Sequence, residues 1–183
     1  MTETLHVNST MDTKGKPLVL WSLGKAKGTL TLTEARNHAD LIIRACAIAE
    51  SEAAIVKGMS ALSPKKKGFG GGDDKTDDLP WQLLHLIRDF RPPLGDGINV
   101  IYGLKTKMAL VEIDGYGDKI QWDVESARHH AYALLSASEA SESDAFFYHF
   151  LKTKLDLDPH ELQPMMREFE VFRNVNRLED LYR

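Results

Sequence analysis

The chain has 183 residues, of which 43% are hydrophobic and 27% charged, with a formal net charge of -4. This is a globular composition, neither disordered nor fibrous, and its apolar stretches are too short to span a bilayer, the one before Ala49 being broken by Arg44. A lone cysteine, Cys46, excludes an internal disulfide, and the first residues lack the basic start and apolar run of a secretory signal, so a cytoplasmic protein without membrane contact is expected.

A weak strand is expected at residues 4–7, then strand-like runs at 17–21 and 29–32 flanking the glycine-containing segment 24–28, a hairpin signal. Thr31 as N-cap, with Glu34 three residues later, opens a long helix. Its inward stripe at helical spacing is Ala35, Ala39, Ile42, Cys46, Ala49 and Ala53, and Cys46 reads there as a small core residue. Segment 63–78 is dominated by Lys, Gly and Asp, buries too little apolar surface to order itself, and is expected to be a mobile insertion. A shorter helix begins at Pro80, proline being favoured at the first helical position. It stops before Arg91-Pro92-Pro93, which starts a short, stiff connection reaching Gly97.

The same order then returns. Strands are expected at 98–102, 108–113 and 119–122, the last two flanking a turn that starts Asp114-Gly115. Asp123 caps a second long helix with the stripe Ala127, Ala131, Leu134, Ser138, Ser141 and Ala145, and another helix begins at Pro159. Beyond Phe169 an amphipathic pattern of Val171, Val175, Leu178 and Leu181 has no earlier counterpart; such an extension closes a core or docks on another subunit.

Read at an offset of 92, the chain repeats itself. Eight of the twenty positions from 35 to 54 are identical to their counterparts: Ala35/Ala127, Arg36/Arg128, His38/His130, Ala39/Ala131, Ala45/Ala137, Glu50/Glu142, Ser51/Ser143 and Ala53/Ala145. Ordinary composition gives about one or two by chance. At an offset of 79, Pro80, Leu83, Arg88 and Phe90 match Pro159, Leu162, Arg167 and Phe169, which places thirteen extra residues of the first copy within the insertion. The expected fold is α+β: a tandem duplication of a three-strand plus two-helix unit, with antiparallel sheets, helices packed on one face, and a pseudo-twofold relation. The first repeat unit is 1–91 and the second 92–183.

The repeated Ala-Arg-x-His-Ala motif is the best site candidate. On a helix, residues two apart lie about 200° apart, so Arg and His of one motif face different ways. Structurally, His38 and His130 would bury beside the alanine stripe while Arg36 and Arg128 bond carboxylates of their own copy; functionally, all four would bind an anion. The glycine-rich Lys65-Lys66-Lys67-Gly68-Phe69 run departs from a phosphate-binding loop, because Asp74 precedes Lys75-Thr76 where that pattern needs glycine. Lys65, Lys66, Lys67 and Phe69 are instead candidate partner contacts. Glu125 and His129 have a metal-binding spacing without a third ligand, and no nucleophile elbow is present.

Ten basic and six acidic residues precede Gly68, whereas thirteen basic and twenty-one acidic residues follow from there. Halves that differ in charge meet different surroundings or each other. The reading that follows is a non-catalytic cytoplasmic interaction or regulatory protein, with a protein partner or self-association and with no metal or cofactor. The alternatives are a nucleic-acid-binding accessory protein using the basic first repeat, and a small-ligand binder or enzyme at a cleft between repeats.

Overall fold

The computed structural model describes residues 5–23, 25–62, 79–95, 97–103, 108–117 and 119–175. Its elements are β1 (Leu5–Met11), β2 (Pro17–Leu23), β3 (Ala26–Thr31), α1 (Leu32–Leu62) and α2 (Leu79–Phe90). They are followed by β4 (Ile98–Gly103), β5 (Met108–Asp114), β6 (Lys119–Asp123), α3 (Val124–Lys154) and α4 (Pro159–Val175). The fold is α+β, with two three-stranded antiparallel sheets ordered β1-β2-β3 and β4-β5-β6. Among the described residues no helix is long and apolar enough to cross a membrane. Lys65, Lys66, Lys67 and Phe69, with the rest of the expected insertion, and Leu178 and Leu181 lie outside the described residues.

Local chemistry sets the helix starts. Glu34 accepts from Thr31 N at 2.8 Å while Glu34 N donates to Thr31 Oγ1 at 3.3 Å, a reciprocal box that holds the Glu34 carboxyl below its ordinary range. At α3 the cap is Asp123 Oδ1, which accepts from Ser126 N at 2.7 Å. Of the expected inward stripes, Ala35, Ala39, Ile42, Cys46 and Ala49 on α1, and Ala127, Ala131, Leu134, Ser138 and Ser141 on α3, have no exposed surface and Ala145 is buried, whereas Ala53 is only half-buried and Glu52 takes the fully buried place in that turn.

Two strand boundaries differ from expectation by three residues or more. β1 runs on to Met11, because its ladder with β2 continues to Met11↔Pro17 before an Asx turn closes it: Asp12 Oδ1 accepts from Lys14 N at 2.8 Å and Lys16 N at 2.9 Å. These amides hold the Asp12 carboxyl below its usual range. β3 starts at Ala26 instead of after Gly28, because Gly28 pairs with Trp21 and seats the indole ring; a Cβ there would lie 2.8 Å from it. That glycine belongs to the sheet, not the turn.

The chain forms two compact units, one joining the two ends of the chain and the other its continuous middle. One comprises Met1–Asn37 with Tyr132–Arg183, the other His38–Ala131. The first unit therefore holds β1 to β3, most of α3 and all of α4. Direct bonds tie these together: Leu18 N donates to Ser141 Oγ at 3.0 Å, and Ser141 Oγ donates to Thr10 O at 2.7 Å. Because Thr10 and Leu18 are register partners, the buried hydroxyl of α3 bridges two facing strands. Nearby, Gly15 (φ +78°) lies so close to Tyr148 that a Cβ would sit 2.5 Å from the ring.

The second unit holds most of α1, α2, and β4 to β6. Its core alternates along β5, where Ala109, Val111 and Ile113 are buried, together with Ile98 of β4 and Leu84 of α2. Thus each unit combines the sheet from one half of the chain with most of the long helix from the other half. The 92-residue offset divides the chain by sequence; the compact units divide it by space.

Candidate functional site

The repeated motif is split between the two units. In the first, Arg36 Nη2 meets Glu142 Oε2 at 2.5 Å; in the second, Arg128 Nη2 meets Glu50 Oε1 at 2.9 Å. Both arginines bond carboxylates, but of the opposite copy, since Glu142 is the counterpart of Glu50. His38 and His130 fall together in the second unit, where both rings stand edge-on to Tyr116 at 5.5 and 5.4 Å between centroids.

Tyr116 is the residue that sequence reading missed. It sits in the expected β5–β6 turn, yet is only 2% exposed, and its hydroxyl lies 2.7 Å from His130 Nε2. Trp122 covers the same imidazole, ring centroids 5.0 Å apart. Burial lowers the His130 pKa to about 3, with the nearby His38 adding to the effect, and burial raises that of the Tyr116 phenol. His130 and Tyr116 are therefore uncharged at neutral pH within a buried, hydrogen-bonded aromatic cluster. The available signal was an aromatic side chain in a glycine-flanked turn, where the other copy has Gly24.

Two further sequence candidates occupy plain surroundings. Cys46 is buried, its thiol donates to Val124 O at 3.5 Å, and burial raises its pKa, the opposite of what a reactive thiolate requires. Glu125 and His129 approach to 3.9 Å, but their side chains are 86% and 77% exposed. Among the described residues no group of three or more His, Cys, Asp or Glu is placed to hold a metal ion.

The strongest buried electrostatics lie one helical turn from Ala49 and Ser141. Glu52, fully buried, receives Arg88 Nη2 at 2.5 Å and Arg91 Nη1 at 2.8 Å. Its counterpart Asp144 also receives an arginine, Arg173 of α4, which donates further to Ala140 O at 2.8 Å and Ser9 Oγ at 3.2 Å. These acids were legible as charges recurring 92 apart beside an apolar stripe.

Beside Asp144 the first unit opens a cleft of about 790 Å³. Ser9, Thr10 and Met11 of β1 form one wall, and Gln163, Pro164, Met166, Arg167 and Glu170 of α4 the other. Arg167 is the counterpart of Arg88 at the 79 offset. On another part of the same unit, Glu142, Ser143, Phe146, Phe147 and Phe169 line an apolar groove of about 440 Å³, floored by the Phe147–Phe169 stack at 4.4 Å. Around it Phe146 is 75% exposed and Phe150 45%; on α4, Val171 is 59% and Val175 69% exposed. Comparison of the chain with protein-family models, curated proteins and solved structures gave no match.

Proposed function

We propose that this is a non-catalytic interaction or regulatory protein of the cytoplasm, whose protein partner docks on the aromatic face of α3 and α4. The observation that carries the reading is the exposure of Phe146 and Phe150, one helical turn apart beside the groove. Monomeric proteins rarely leave large contiguous apolar patches in water, and such patches mark association sites. Glu139 and Ser143 continue the same side of α3 and Glu168 lies one turn before Phe172 on α4, so the face is aromatic with an acidic surround. A partner segment with apolar and basic side chains matches it. The charge of the chain beyond Lys67 supports the same chemistry.

We further propose that the chain arose by tandem duplication of a three-strand plus two-helix unit. Support comes from the recurrence of the element order, from two 31-residue helices starting 92 positions apart, and from the matching buried stripes. The pseudo-twofold relation, with helices on one face of each sheet, belongs to this proposal. Arg36, His38, Arg128 and His130 act in it as structural residues, because their side chains already engage Glu142, Tyr116, Glu50 and Tyr116 in turn.

The test is co-purification from the native host with wild-type protein and with the Phe146→Ser/Phe150→Ser variant, fold being checked by circular dichroism. A stoichiometric partner retained by the wild type and lost by the variant supports the proposal, as does self-association that the variant abolishes. Identical partners and identical size for both proteins would refute it.

A further inference from the structure

The cleft between β1 and α4 presents two opposite charges that the fold does not use. Arg167 and Glu170 both line it, three positions apart on α4 and thus about one helical turn from each other. Among the described residues neither takes part in an ion pair, although their spacing permits one. Arg88, the counterpart of Arg167, is bound to the buried Glu52, whereas Asp144, the counterpart of Glu52, has Arg173 as its cation. Arg173 therefore takes the role of Arg88, and Arg167 is left facing the cleft.

We propose that this cleft binds a free α-amino acid with an apolar side chain. The ligand carboxylate pairs with the Arg167 guanidinium, whose fork suits a planar carboxylate. The ligand ammonium pairs with Glu170. Met11, Met166 and Pro164 supply the apolar wall for its side chain, with methionine adapting to irregular shapes. Ser9, Thr10 and Gln163 add neutral polar groups. A cleft of about 790 Å³ is within the usual range for small-ligand sites. A second anionic group is disfavoured, because Asp144 and Glu170 both border the space. This proposal is independent of the aromatic face.

The test is titration of the full-length protein, its methionine methyl groups followed by NMR, with three probes: L-leucine, 3-methylbutylamine, which lacks the carboxylate, and 4-methylpentanoate, which lacks the ammonium. L-Leucine is expected to shift the Met11 and Met166 signals saturably, with each half-charged analogue at least tenfold weaker. Arg167→Gln and Glu170→Gln should each weaken leucine by a similar factor. Absence of a saturable shift, equal binding of either analogue, or folded variants that titrate like wild type would overturn the proposal. Tighter binding of the dipeptide Leu-Leu than of leucine would overturn the assignment to a free amino acid. The probe series needs no variant, so a misfolded substitution leaves the test intact.

Discussion

Arg36 holds Glu142 at 2.5 Å inside the first unit, and the residues 92 positions from each, Arg128 and Glu50, hold one another at 2.9 Å inside the second. Each pair joins an arginine from one copy of the repeated sequence to a glutamate from the other. The side chains are roughly 36% to 60% exposed, so solvent screening keeps either pair to about 0.2–1 kcal/mol. Their use is orientation more than stability.

Charge reversal tests that pairing. Arg36→Glu and Glu142→Arg should each lower the urea midpoint, and the double reversal should recover most of the loss, with a coupling of about 0.2–1 kcal/mol. Additive effects would mean that the two residues do not interact in solution.

Removal of Glu52 should be far more damaging. It is fully buried and bound by Arg88 and Arg91, so Glu52→Ala leaves two partly buried guanidinium groups without their carboxylate. A loss of about 3–5 kcal/mol in chemical unfolding is expected, the usual consequence of breaking a buried pair from one side.

Ser141 provides a test within the first unit. Its counterpart at the 92 offset is Ala49, and Ser141→Ala deletes the hydroxyl that bridges Leu18 N and Thr10 O. With a part-buried donor and acceptor left unmatched, about 1–3 kcal/mol of stability should be lost at most. Hydrogen exchange at the Leu18 amide should accelerate.

The pH dependence of stability reports on His130. An unfolded chain protonates this imidazole below about 6.5, whereas the folded chain keeps it neutral down to about 3. The unfolded state therefore binds the extra proton across that window. Stability from this group is fully present above pH 6.5 and declines as pH falls toward 3, by at most about 1.4 kcal/mol per pH unit. His130→Gln should flatten the decline measured by urea unfolding between those pH values.

Much of the local structure could be read from the chain because its causes are local. The Thr31–Glu34 box, the Asp123 cap and the alanine stripes depend on residues within a few turns, and the structure holds them where spacing places them. The partners of Arg36 and Ser141 are different in kind: they lie 106 and 123 or more positions away, and no periodicity encodes which copy supplies them. A repeat also makes the choice ambiguous, because Glu50 and Glu142 are the same residue in matching surroundings. Tyr116 was hidden by its glycine neighbours, whose turn signal is correct for the backbone but silent about a buried ring. The α4 cleft depends on three separated segments meeting, β1, Asp144 and α4, which no single motif announces.

The central claim is that each compact unit draws on both halves of the chain, before and after Pro93, and cleavage between Pro93 and Gly95 tests it most directly. A protease recognition sequence inserted there lies in an exposed connection, with Pro92, Pro93 and Gly95 all at the surface. After cleavage under native conditions the two pieces should elute together at the size of the intact chain and separate only in denaturant, since β1 to β3 belong with α3 and α4, and β4 to β6 with α1 and α2. Two separately eluting, folded fragments would contradict the account.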